Sequence, residues 1–417
     1  MNSDLNRLYD YPFTRLRALL ANAQVRHKAQ VPISLAIGEP QHPPPEFVTA
    51  ALVSNLQTLR SYPTTQGCSE LRGAIADWLT QRYGIARDLI DHETMVLPVQ
   101  GTREALFAAA QCIVNRSGKH STTPANNISD SALLPPLVMM PAPFYQIYEG
   151  AALMAGAQPH YMPCTEAMGF VPQLDTVSDE QWQRCQLFYV CNPSNPTGLA
   201  LGSEYYRRLI ELADQFDFVI ASDECYSEIY ANEQEPCLGL LQVCKELGRH
   251  DFARCLVFNS LSKRSNLAGL RSGFVAGDAA LMQAFLLYRT YHGSAMPAHH
   301  QAASIAAWRD EEHVRVNRQL YQQKITAVLE LLQPVMPIVR PAGGFCLWAG
   351  TPCDDEAFVA DLYSEQQVTV LPGSYLAREV EGANPGAGYV RMALVQPLEQ
   401  CVEAAQRIRE FVQSRVY

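Results

Sequence analysis

Short runs of Val, Ile, Leu, Met and Phe recur between residues 46 and 303, and stretches with helical spacing lie between them. The runs are MVLPV (95–99), LVMMP (137–141), LFYVCNP (187–193), FVIASDE (218–224), CLVFNSLS (255–262) and SGFVAG (272–277). Residues 102–115 and 204–215 are among the helix-like stretches. A strand that is apolar on both faces needs cover on both faces. Strand–helix alternation supplies that cover when the strands form a mostly parallel sheet. The expected class is therefore α/β. The pattern changes near residue 299. A long helical stretch over 299–332 precedes FCLWAG, VTVLPG and YVRMAL, and helices close the chain. That α+β pattern predicts a second, smaller domain. The expected division is an arm over 1–30, a large domain over 46–298, and a small domain built from 31–45 with 299–417. The polar, turn-rich stretch 117–136 reads as a surface loop interrupting the large domain.

Composition excludes several function classes. Among 417 residues, Lys plus Arg is 32 and Asp plus Glu is 42, a formal net charge of −10. A nucleic-acid binder wants a basic face, so none is expected. The twelve cysteines contain no CxxC pair, which argues against zinc and predicts reduced, mostly buried thiols. The opening residues MNSDLNRLYDYPF lack an apolar signal core, and no apolar run reaches the ~20 residues that span a bilayer. The expectation is a cytoplasmic protein without membrane or metal. The chain has neither GxGxxG nor GxxxxGK[ST], and no GxSxG, which disfavours nucleotide-dependent enzymes and serine hydrolases.

In parallel α/β sheets, ligand groups gather at the carboxyl ends of the strands. Polar residues cluster at those positions here. Lys263 follows a strand in SLSKRSNLAGLRSG, with Ser260 and Ser262 before it and Arg271 after it. Two hydroxyls and a second cation suit an anion, and a lysine that is desolvated or beside another cation can form a Schiff base. Alone, such a lysine is an ordinary surface residue. Asp223 ends FVIASDE, and Tyr226 follows three residues on. Such a carboxylate is either a helix cap or the partner of a pyridine nitrogen. Asn195 lies in NPSNPTG, an ordinary turn when taken alone. Gly101, Thr102 and Arg103 open a helix in QGTREAL, where backbone N–H groups favour a phosphate. Arg391 lies on the apolar segment YVRMAL, and its fork matches a carboxylate. Its plainer reading is an internal salt bridge.

Taken together, these motifs resemble the fold-type I pyridoxal-phosphate enzymes of the class I/II aminotransferase family over nearly the whole chain. Gly38, Tyr62 in SYPTTQG and Tyr145 in PAPFYQIYEG complete the set in the family's order. The resemblance implies an aspartate-aminotransferase-like fold and pyridoxal 5'-phosphate as cofactor. It implies that Lys263 joins the cofactor covalently and shuttles a proton, and that Asp223 faces the pyridine nitrogen. Asn195 and Tyr226 would bind the phenolate oxygen. Gly101, Thr102, Arg103 (through its backbone), Ser260, Ser262 and Arg271 would hold the phosphate. Tyr145 would stack on the ring, and Arg391, backed by Gly38, would clamp the substrate α-carboxylate. Tyr62 would reach the neighbouring subunit's cofactor, which implies a homodimer.

A narrower likeness is carried by NRLYDYPFTRLRALL, AIGEPQHPPPEFV and SLSKRSNLAGLRSGF. These look like the succinyldiaminopimelate aminotransferase group of bacterial lysine biosynthesis, although that group usually has Pro where Ala268 stands. The implied substrates are glutamate with 2-oxoglutarate and an N-succinylated amino or oxo diacid. Arg15, Arg17, Arg289 and His292 are candidate readers of the distal group, each with a plain surface or packing role as the simpler account. Aspartate, alanine and aromatic aminotransferases and carbon–sulfur β-lyases share the same constellation. A transcription regulator would need a basic winged helix ahead of the fold, and an arm of some 30 residues is too short for one.

Overall fold

The structure is a computed structural model that describes residues 1–26, 30–119 and 134–415. Most of the expected 117–136 loop lies outside the described residues. In chain order the strands are β1 (Ile33–Ser34), β2 (Val96–Val99), β3 (Leu137–Ala142), β4 (Gln158–Pro163), β5 (Cys185–Cys191), β6 (Val219–Asp223), β7 (Cys255–Ser260), β8 (Gly273–Gly277), β9 (Cys346–Gly350), β10 (Val368–Thr369), β11 (Leu371–Pro372) and β12 (Tyr389–Ala393). A seven-stranded sheet has the order β2-β8-β7-β6-β5-β3-β4. Its strands pair in parallel from β7 to β4, while β8 runs antiparallel to both β7 and β2.

The sheet is buried on both faces because its side chains alternate between two cores. Phe188, Val190 and Ile220 face a core shared with Trp78 and Trp308, while Leu187, Tyr189 and Ala221 face one shared with Leu106 and Phe144. Each such Phe, Leu or Val contributes about 1.5–3 kcal/mol on burial. β4 escaped the sequence reading. It is an edge strand, QPHYMP, with largely half-buried positions and a proline at its end, so it never needed a continuous apolar run.

A third core lies beside the sheet. β12 pairs antiparallel with β9 and with β11, and β1 pairs in parallel with β10 across more than 330 residues of sequence. Helices Glu312–Leu332, Asp355–Gln366 and Leu398–Gln413 cover them. Leu16, from the helix Pro12–Ala21, is 5% exposed in this core, so part of the expected arm is packed structure. The stretch 299–332 is two helices, not one. Asp310 interrupts it, accepting from the His313 N–H at 2.9 Å. The first of the two, Ala298–Trp308, packs into the large-sheet core through Ala303, Ala307 and Trp308. The change of core therefore falls one helix later than the expected boundary after 298. No described helix is long and apolar enough to cross a membrane.

Candidate active site

The carboxyl ends of β3, β5, β6 and β7 and the turn after β2 meet the third core around a cavity of about 540 Å³. The Ser260 hydroxyl caps a single helical turn, Leu261–Arg264, by accepting from the Ser262 N–H at 3.0 Å. Ser260 Oγ also donates to Ser272 O at 3.0 Å, and Ser262 lines the cavity beside it. The turn sends Lys263 to the cavity, where its Nζ donates to Gly38 O. Burial lowers the Lys263 pKa to about 8, with a further push from Arg391, while Cys225, Cys346 and Glu39 oppose the shift.

Asp223, the last residue of β6, is 5% exposed. The Tyr148 hydroxyl donates to its Oδ2 at 2.7 Å, and the Cys225 N–H donates to its Oδ1 at 3.2 Å. Burial raises its pKa against those donors and the charge of Lys263. Among the described residues Asp223 forms no salt bridge. Tyr226 is half-buried, lines the cavity and packs its ring edge-on to Phe345 at 5.4 Å.

Arg391 sits on β12 opposite Trp348 of β9 and is 7% exposed. Its Nη1 donates to Asn195 Oδ1 at 3.1 Å and its Nη2 to Ala36 O at 2.8 Å. Both partners are neutral, so among the described residues this buried cation is met by no carboxylate, contrary to its plainer reading as half of an internal salt bridge. Gly38 permits the close approach of Phe345, whose ring stands 3.2 Å from where a Cβ would be.

Thr102 begins the helix Thr102–Ile113, with its hydroxyl 2.9 Å from Cys225 Sγ. Gly101 stands behind the wall at φ +84°, and a Cβ there would collide with the Arg271 guanidinium. Arg271 donates to Ala268 O at 2.8 Å and Gln100 O at 3.3 Å, and is held at φ +54°. For a residue with a side chain that left-handed conformation costs roughly 1–2 kcal/mol. The Arg103 side chain lines the cavity too, donating from Nε to the Tyr145 hydroxyl at 2.8 Å.

Every sequence-predicted site residue lies in or against this cavity except Tyr62, which is fully exposed elsewhere. Of the candidate distal readers, Arg289 is buried in an ion pair with Glu104. Arg15 stacks over Tyr375, 3.8 Å from the ring centroid, and Arg17 and His292 are exposed. None of these four lines the cavity. The sequence reading missed Tyr11, Phe13, Ile37, Glu39 and Cys225, which do line it, and Tyr148, which holds Asp223. Position gave a signal for three of them: Ile37 and Glu39 flank Gly38, and Tyr148 follows Tyr145 by one helical turn.

The family model for aminotransferase class I and II matches residues 30–408. The chain belongs to this family. It is similar to an aminotransferase from Neisseria meningitidis, with 45% identity, a TM-score of 0.91, and 99% of this chain and 100% of that one covered. It is also similar to the aminotransferase AspB from Helicobacter pylori, with 32% identity, a TM-score of 0.85, and 98% and 100% covered. A curated relative, the LL-diaminopimelate aminotransferase of Aquifex aeolicus, is 30% identical over 383 residues, 90% of each chain. Class I/II aminotransferases depend on pyridoxal phosphate, and the donor set here fits that group. A buried carboxylate without an ion-pair partner suits a ring nitrogen that must keep its proton. A half-buried amine of lowered proton affinity suits a carbonyl carbon. The hydroxyls of Thr102, Ser260 and Ser262 beside Arg271 suit a phosphate.

Proposed function

We propose that this aminotransferase exchanges an amino group between glutamate and the 2-oxo acid of an N-succinylated diaminopimelate, a step of lysine and diaminopimelate biosynthesis in the cytoplasm. Pyridoxal phosphate, when bound, supplies a carbonyl that takes up the amine and a ring that withdraws electrons from the substrate α-carbon. The chain's own residues do the rest. Lys263 would hold the cofactor through its amine, and that amine is placed to move a proton at the substrate α-carbon. Asp223 keeps the ring nitrogen protonated, and Tyr148 keeps Asp223 aimed. Asn195 and Tyr226 donate to the phenolate oxygen, and Tyr145 covers the ring. Gly101, Thr102, Arg103, Ser260, Ser262 and Arg271 take the phosphate. Arg391 takes the α-carboxylate with Gly38 behind it.

The observation that carries this reading is the convergence of Lys263, Asp223 and Arg391 on one cavity, with neither cation paired to a carboxylate. The apolar wall from Phe13, Ile37, Leu371 and Leu376 supports a long methylene chain on the acceptor. Tyr62 would complete the site from a second subunit. The exposure of Phe47, Leu56, Leu59 and Tyr62 supports a homodimer. A second reading, free LL-diaminopimelate as amino donor, is favoured by Glu39, an acidic residue on the cavity lining that suits a distal ammonium. The curated relatives carrying that name support it as well.

The test is direct. The purified protein should show a visible cofactor band that borohydride discharges, and glutamate should shift that band. A panel of succinylated and free diaminopimelate, aspartate, alanine and aromatic acids then ranks the partners. Absence of the band overturns the site, and a preference for the free diamine replaces the first substrate by the second.

A further inference from the structure

Residues 39–45 read Glu-Pro-Gln-His-Pro-Pro-Pro. Proline has no amide N–H, so this segment has few backbone donors with which to anchor itself. It follows directly on Gly38, whose carbonyl accepts from Lys263, and it begins with Glu39 on the cavity wall. From Glu39 to Pro44, among the described residues, the His42 ring makes the only hydrogen bonds to anything outside the segment.

Both ring nitrogens are used. Lys324 Nζ lies 2.7 Å from His42 Nε2, and an ammonium has donors but no lone pair. Nε2 is therefore the acceptor, and Nδ1 carries the proton. The Nδ1–H donates to Asn317 Oδ1 at 2.8 Å. Asn317 donates in turn from Nδ2 to the main-chain carbonyls of Lys263 and Arg264, each at 3.1 Å. Lys324 and Asn317 are each 3% exposed on the helix Glu312–Leu332, so these bonds do not compete with bulk water. A closed circuit results. The Lys263 side chain reaches the segment through Gly38, and the segment reaches the Lys263 backbone through His42 and Asn317.

We infer that His42 is a positioning residue of the amine-transfer site, holding the Gly38–Glu39 wall in register with Lys263 through Lys324 and Asn317. The inference rests on the reading of Lys263 and Gly38 as site residues, and not on which diacid is used. The neutral ring is the working form, because a protonated Nε2 would point its N–H at the Lys324 ammonium. Its role is to set substrate affinity, since the wall it holds backs Arg391 at Gly38 and lines the substrate space at Glu39.

The experiment compares wild-type, His42→Asn and His42→Leu holoenzymes, each first checked for the borohydride-sensitive band. Asparagine keeps a donor toward Asn317, and leucine keeps neither bond. The KM for glutamate should rise about tenfold in His42→Leu with kcat held within about threefold, and His42→Asn should recover most of the loss. An unchanged KM in His42→Leu with its band intact overturns the inference. So does an equal rise in both variants, which marks a bulk packing effect. Should His42→Leu fail to fold, Lys324→Met takes its place, and an unchanged KM there overturns the inference equally. Absence of the band in the wild-type protein overturns the site reading itself and this inference with it.

Discussion

Lys263 and Arg264 are neighbours in sequence and opposites in setting. Arg264 is 1% exposed, packs over Trp308 at 4.8 Å, donates to Ala307 O at 2.9 Å and is ion-paired to Glu311. Lys263 is half-buried, and its Nζ donates to a neutral carbonyl and faces a cavity. The same contrast separates Arg289, paired to Glu104, from Arg391, which meets only amide oxygens. A buried cation paired to a carboxylate is part of the scaffold. One left beside a cavity without a counter-charge holds unspent electrostatic energy that an anion or a carbonyl carbon can use.

The contrast predicts that the neighbours fail differently. Lys263→Ala should lower amine transfer by at least about a thousandfold, because it removes both the covalent attachment and the proton carrier. It should leave the thermal midpoint at or above that of the wild-type apoprotein, since no ion pair is lost and a desolvated charge is removed. Glutamate-driven spectral change and circular dichroism check the two halves. Near-normal turnover, or an unfolded protein, would break the comparison. Arg264→Ala should do the reverse. Losing the bonds to Ala307 O and the half-exposed Glu311, and the packing over Trp78 and Trp308, costs on the order of 2–3 kcal/mol, read as a fall in the denaturant midpoint. The residual folded fraction should retain a wild-type KM.

Which of the two cations would face the cavity was legible in the sequence only through context. Ser260, Ser262 and Arg271 around Lys263 implied an anion, and the strand-end position implied a ligand edge. The large sheet was legible because strands buried on both faces must be apolar throughout. β4 was not, because an edge strand tolerates polar residues and proline. The break at Asp310 was hidden because both flanking stretches have good helical periodicity, and a local side-chain bond from the His313 N–H to Asp310 marks it. The cavity wall from Tyr11 to Phe13 was hidden for another reason. Those residues belong to a helix whose other face packs in the third core, and a sequence does not say where a terminal helix docks. Asp223 was identified by its position at the strand end. Its holder, Tyr148, was not, since a buried tyrosine on an apolar helix reads as core.

The comparison sharpens at Arg391. Replacement by Lys keeps the charge and loses the planar fork, so Asn195 and an incoming carboxylate can no longer both be met in one plane. The KM for glutamate should rise about ten- to hundredfold with a smaller change in kcat, as expected when a charge-assisted bond worth about 1.5–3 kcal/mol is lost. Steady-state kinetics with glutamate at saturating oxo acid measure this, and an unchanged KM would remove Arg391 from the substrate site.

The smallest effect expected is in pH. Lys263 is held at about 8, below the ordinary 10.5. A lowered lysine pKa means that the unfolded chain binds the extra proton between those values. Apoprotein stability attributable to Lys263 should therefore rise as pH climbs from about 8 toward 10.5, with the burial penalty in full force below that window. The amine is the free base in a growing fraction over the same rise. The rate at which apoprotein takes up pyridoxal phosphate should thus climb with pH and level off with a midpoint near 8. Following the cofactor band after rapid mixing at pH values from 6 to 10 reads the midpoint directly. A midpoint near that of an exposed lysine would mean that the Lys263 amine is solvated, and the distinction from a surface cation would fall with it.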